Sequence, residues 1–126
     1  MVCEKVGVLD VCIVQGSDTN DVELFLTEDD GSPIDLSPAT ARMQIRPFKS
    51  STTVYDDLTT ENGRISIESF VEEGETFWKV VLKFPNGVTS NYSWLTGVYD
   101  LELVLGGLVD RVIEGGVVVN DEVTRE

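Results

Sequence analysis

The chain has no histidine, and only nine lysines and arginines stand against 23 acidic residues, a formal net charge of −14 over 126 residues. The missing imidazole removes the commonest general base, the usual catalytic triads and most zinc sites. The shortage of cations leaves a surface that repels nucleic acid and anionic lipid, so neither is expected as a partner. Its balancing reading is a soluble acidic surface, or one matched to a basic partner protein. There are two cysteines, Cys3 and Cys12. With the segment between them extended they lie roughly 30 Å apart, whereas a disulfide needs Cα atoms within about 7 Å. Gly7 is the one residue there that could reverse the chain, and no turn cluster surrounds it. Both thiols are therefore expected reduced, as in a cytosolic product. No apolar run approaches the roughly 20 residues of a membrane helix. Met1 to Lys5 shows no basic region leading into an apolar block, so no signal peptide is expected. A nucleophile elbow, a phosphate loop and a dinucleotide fingerprint are all missing as well. No residue set supports catalysis, and the expectation is a protein that is not an enzyme and holds no cofactor and no metal.

What is present reads as one domain over residues 1–126, long enough to bury a core without staples. Short β-type segments alternate with Gly, Asn, Asp and Pro clusters. Val6 to Val14 is β-branched and predicts a first strand, with Met1 to Val14 as an N-terminal addition. Val22, Leu24 and Leu26 alternate with Glu23, Phe25 and Thr27, the period of a half-buried strand. Glu28 to Pro33 is a turn by composition. Ile34 to Leu36 is at most an edge piece between Pro33 and Pro38. Ala41, Met43 and Ile45 point one way, and Arg42, Gln44 and Arg46 the other. Thr52 to Leu58 predicts a strand, and Asn62-Gly63 is the strongest short hairpin signal; Ile65 and Ile67 follow it with strand parity.

After an acidic turn at Glu72 to Glu75, Trp78, Val80, Leu82 and Phe84 share a face opposite Phe77, Lys79, Val81 and Lys83. Pro85-Asn86-Gly87 stops that strand, and Thr89 to Thr96 is irregular or one helical turn. Tyr99, Leu101, Leu103 and Leu105 share the next face. Gly106-Gly107 links a hairpin, Leu108 to Val119 returns, and Glu114-Gly115-Gly116 within it suggests a bulge. Asn120 to Glu126 is a polar tail. The sum is about seven to nine strands. The clean alternation predicts antiparallel strands and an all-β, immunoglobulin-like antiparallel β-sandwich. The cysteine and tryptophan spacing of antibody domains is absent, so that likeness is architectural.

Candidate contact residues are few. Arg42 and Arg46 are predicted on the outer face of their strand, as salt-bridge partners or as contacts to a neighbour, with Arg111 placed likewise on the last strand. Tyr92 and Trp94 fall in a loop-like stretch. They either plug the end of the core or form a contact surface, because both ring types are enriched at interfaces. Glu28, Asp29 and Asp30 could offer oxygens to calcium, but their spacing is not that of an EF-hand loop and they read as a solvated turn. Glu72, Glu73 and Glu75 read the same way.

An ordered series of segments carries a resemblance. It comprises Gln15-Gly16, Leu24-Phe25-Leu26-Thr27, Gly31-Ser32-Pro33-Ile34-Asp35-Leu36-Ser37, Ala39-Thr40-Ala41-Arg42-Met43-Gln44-Ile45-Arg46 and Asp57-Leu58-Thr59-Thr60-Glu61-Asn62-Gly63-Arg64-Ile65. It continues with Gly97-Val98-Tyr99-Asp100-Leu101-Glu102-Leu103, Glu114-Gly115, Val117-Val118-Val119 and Glu122-Val123-Thr124-Arg125. From about Gln15 to Arg125 the chain resembles small immunoglobulin-like proteins of tailed phages and prophages, and is similar to the N-terminal domain of phage baseplate upper proteins. The resemblance implies a β-sandwich virion component without enzymatic activity, made in the host cytoplasm. Its partners would be other virion structural proteins, and it would be oligomeric in the assembled particle. No binding residue is carried over by it. The chain departs from the pattern in its N-terminal strand, which could add to a neighbour's sheet edge, and in the short Gly106-Gly107 hairpin. Within this reading the tail or baseplate is the expected position. A capsid decoration protein and a stand-alone carbohydrate-binding module are the alternatives.

Overall fold

The computed structural model describes residues 6–123. The alternating segments become nine strands: β1 (Gly7–Val8), β2 (Val11–Val14), β3 (Val22–Phe25), β4 (Thr40–Arg46), β5 (Asp56–Thr59), β6 (Ile65–Glu72), β7 (Glu75–Leu82), β8 (Thr96–Leu105) and β9 (Leu108–Asn120). One short helix, α1 (Asn86–Thr89), follows β7. It starts earlier than the sequence suggests because Pro85, extended at φ −67°, presents its carbonyl to the amides of Val88 and Thr89. A six-stranded sheet runs β1–β9–β8–β4–β5, with β2 also on β9, and a three-stranded sheet runs β3–β7–β6. The two form a sandwich-like pair of layers, as the patterning predicts.

The core lies between the layers. The large sheet contributes Ile13, Met43, Ile45, Leu58, Leu101 and Val117, and the small one contributes Leu24, Ile65, Val80 and Leu82. Leu36, Phe84 and Trp94 enter from connections and close the ends. Burial of such side chains contributes on the order of 2 kcal/mol each against the entropy of ordering the chain. Leu36 is thus a core plug; the segment around it makes no strand beyond a Thr27–Pro33 bridge.

Several expectations are corrected. The strands are not all antiparallel: β1 and β2 run parallel to β9, Gly7 opposite Ile113 and Val14 opposite Asn120. Alternation assigns a face to each residue and carries no information on chain direction. The segment 6–14 is two strands, broken where Leu9 and Asp10 turn their polar groups to β8 and β9: Tyr99 Oη donates to the Leu9 carbonyl (2.6 Å) and the Gly116 amide donates to Asp10 Oδ1 (2.9 Å). Gly115-Gly116 is not a bulge. A Cβ at Gly115 would fall 2.1 Å from the Leu9 carbonyl oxygen, so this glycine admits the N-terminal strand. The bulge is at Val112, since Leu101 faces Ile113 while Glu102 faces Arg111.

Asn62-Gly63 makes a tight reversal, with Gly63 at φ +78°, but not a hairpin. Leu58 pairs with Met43 in one layer and Ile65 pairs with Leu82 in the other. The dipeptide sets the turn; burial of the flanking apolar residues chooses the sheet. The expected strand at Thr52 begins only at Asp56. Two-residue hairpins of the predicted kind occur at Gly106-Gly107 and at Glu73-Gly74, where both residues have positive φ. Cys3 and the end of the tail lie outside the described residues, while Cys12 is an exposed free thiol on β2.

Candidate interaction surface

The end of the sandwich beside α1 is organised around a buried ion pair. Asp56 opens β5 and Arg64 precedes β6, so the two sit at the passage from one sheet to the other. Arg64 donates from both terminal nitrogens, Nη1 to Oδ1 (3.1 Å) and Nη2 to Oδ2 (2.8 Å). Its Nε donates to the Lys83 carbonyl (2.9 Å), and the guanidinium lies 5.9 Å from the Phe84 ring centroid. Tyr92 Oη donates to the same Asp56 oxygen. Burial and the neighbouring Asp56 charge both push the Tyr92 phenol well above its usual range. The chain crosses between layers here, so one carboxylate ties β5, β6 and the segment after α1 together.

The aromatic candidates belong to this end. Trp94 is buried and stacked on Tyr55 with centroids 4.8 Å apart and rings 4° from parallel, and Tyr92 packs on it at 4.6 Å. The Trp94 indole therefore has rings over it rather than an open face. Thr89 Oγ1 and Trp94 Nε1 are buried without a hydrogen-bond partner among the described residues.

Arg42 and Arg46 lie on the outer face of the large sheet. Arg42 Nε meets Glu102 across β8 (3.1 Å) in an exposed pair. Arg46 is only half-exposed. It donates to Gln44 Oε1 (2.6 Å) and the Ser51 carbonyl (2.5 Å), which makes it a strut for the loop after β4. Arg111 faces Asp100 (3.9 Å) and Glu114 (3.6 Å), and Lys49 faces Glu114 (3.5 Å). Gln44, Arg46, Lys49, Asp100 and Arg111 line an open depression together with Val98 and Tyr99. Arg42, Lys49 and Arg111 each have a carboxylate beside them, so the face is a mixed-charge ladder, and exposed pairs of this kind contribute little to stability.

The outer face of the small sheet is different. Phe25 on β3, Phe70 on β6 and Phe77 on β7 all fall in the outward phase. Phe70 and Phe77 are opposite one another in register and stack at 5.8 Å; Phe25 meets Phe70 edge-on at 5.6 Å. Phe25 is 60% exposed, and Val71 at the neighbouring hairpin end is 72% exposed. Between them Lys79 pairs with Glu23 (3.3 Å). Alternation alone places Phe25 and Phe77 outward. The meeting of three rings needs the cross-strand register, which no local pattern supplies. Phe70 and Phe77 are half-buried within the cluster, and Phe25 is its exposed ring.

In the acidic turn after β3, Asp30 Oδ1 accepts from the Ser32 amide (2.9 Å) and hydroxyl (2.6 Å), which holds its carboxyl below the usual carboxylate range. No group of three cysteine, aspartate or glutamate side chains converges as a metal site among the described residues. No protein-family model matches this chain, and no curated protein matches it.

Proposed function

We propose that this chain is a non-enzymatic structural or adaptor component of a tailed-phage particle, seated in the tail or baseplate and working through protein–protein contacts of its sheet faces. The observation that carries the contact reading is the Phe25–Phe70–Phe77 cluster on the outside of the small sheet. The core is filled without these rings, so folding gives no reason to hold them toward water. Covering them would bury aromatic surface of the kind that anchors interfaces. The particle context comes from the ordered resemblance between Gln15 and Arg125. Against the carbohydrate-module alternative stands the packing of Trp94 between Tyr55 and Tyr92, which leaves no open indole face for a sugar ring.

Antibody-gold labelling of purified native particles tests the reading. Label at the tail end is the expected result. Label over the head would replace it with the capsid decoration alternative. Particles that carry none of the protein, intact or denatured, would refute the structural role.

A further inference from the structure

The aromatic cluster has a rim, and the rim has a sign. In register around the three rings stand Glu23 on β3, Glu68 and Glu72 on β6 and Glu75 on β7, all exposed and all in the outward phase. Glu73 is added at the hairpin tip between β6 and β7, so three carboxylates occupy the four residues 72–75. On the cationic side, Lys79 is already engaged by Glu23. Among the described residues, Glu68, Glu72, Glu73 and Glu75 have no lysine or arginine nitrogen within ion-pair distance, in contrast to the paired carboxylates of the large sheet's outer face.

From this we infer that the outer face of the small sheet docks a heterologous protein surface made of an apolar anchor flanked by lysines or arginines. The inference rests on the contact part of the proposed function, not on its particle context. Covering the rings also strips water from the rim, and carboxylates desolvated without a counter-charge oppose association. A basic collar on the partner turns that cost into attraction and steers the encounter. A second copy of this chain fits badly. An isologous pairing sets the same patch against itself. It would set one glutamate rim against another, in two chains that each carry −14.

The tip can bear substitution, which makes the idea testable on the folded chain. The full chain is titrated against two fluorescein-labelled synthetic peptides, one alternating lysine with phenylalanine and leucine, the other with every lysine replaced by glutamate. Binding is read by anisotropy and mapped by amide shifts. The lysine peptide is expected to bind, with shifts on β6 and β7, and the glutamate peptide not to. Phe70→Ser should weaken binding by roughly tenfold. The charge reversal Glu72→Lys with Glu75→Lys should weaken it several-fold, and added salt should do the same to the unsubstituted chain. Asp57→Lys with Asp121→Lys, at the large sheet, should leave binding within about twofold, which separates a docking face from general attraction to an acidic protein. Urea midpoints show that each variant is folded; if Phe70→Ser is not, the charge-reversal pair decides.

Equal binding of both peptides, or indifference of the lysine peptide to the rim reversal, overturns the inference. So does a dimer of the unsubstituted chain, seen by sedimentation, that Phe70→Ser dissociates; that outcome would leave the contact reading standing with a second copy as occupant. Absence of the protein from particles would remove the virion reading and leave the peptide result untouched.

Discussion

Replacing Asp56 by alanine removes the acceptor for three partly buried donors at once, two from Arg64 and one from Tyr92. The Asp56 and Arg64 side chains are 11% and 14% exposed, so water cannot fully take the place of the carboxylate. The guanidinium keeps its bond to the Lys83 carbonyl but is left as a largely uncompensated buried charge. Breaking such a pair from one side costs about 3–5 kcal/mol, a large share of the roughly 5–15 kcal/mol that holds a domain folded. With a urea m-value of about 2 kcal/mol per molar for a chain of this size, the midpoint should fall by roughly 1.5–2.5 M at unchanged slope. Removing both partners should behave differently. Asp56→Leu with Arg64→Met fills the volume with apolar groups and leaves no buried charge, only the neutral Tyr92 hydroxyl and Lys83 carbonyl without their partners, so it should cost less than Asp56→Ala alone. Urea unfolding followed by tryptophan fluorescence suits the test because Trp94 lies beside the network through Tyr92. A loss under about 1 kcal/mol for Asp56→Ala, within the range of an exposed pair, would refute the claim that this carboxylate clasps the two layers together.

Other outcomes follow from single contacts. Gly115→Ala drives a methyl into the Leu9 carbonyl and should cost about 1–3 kcal/mol in thermal or urea unfolding, whereas Gly87→Ala, with open space around it, should shift stability by well under 1 kcal/mol. Thr89→Val removes a buried hydroxyl that has no partner and should raise stability by about 1 kcal/mol in the same assay. Burial, with a smaller push from Asp10, raises the Tyr99 phenol to about 12, against an ordinary value near 10. Its contribution is therefore complete below about pH 10, where both states hold the proton, and is lost as pH rises toward 12, where only the folded state does. Tyr99→Phe should flatten that part of an alkaline unfolding curve, and an unchanged curve would show that another group dominates it.

The layers were legible because half-buried strands write their inner face into every second residue: Ala41, Met43 and Ile45, or Tyr99, Leu101 and Leu103, are buried as their spacing demands. Partners were less legible. Val11 and Ile13 mark an inner face equally well for a parallel or an antiparallel neighbour, and the β9 pairing spans more than a hundred residues of sequence. Asn62-Gly63 encodes a positive-φ reversal at Gly63, yet nothing local says whether the next strand stays in the same sheet. Of the candidate contacts, Arg42 and Arg46 sit on the outer face as alternation requires. Whether Tyr92 and Trp94 filled the core or faced outward depended on Tyr55, which arrives from a distant loop. The aromatic face was half visible: Phe25 and Phe77 were in the outward phase, but Phe70 joins them only through the β6–β7 register.

The parallel placement of β1 and β2 against β9 has a mechanical meaning. The described chain enters alongside Ile113 at one pole of the sandwich, and β9 leaves at the other, past Val14 and Asn120. Tension applied between its two ends would pull these neighbouring strands in opposite directions along their common axis. The load would fall in shear on the whole ladder from Gly7 to Val14 together, not peel one hydrogen bond at a time. Resistance to pulling is governed by the unfolding rate rather than by equilibrium stability. The short N-terminal strands would therefore set the force the domain withstands out of proportion to the area they bury.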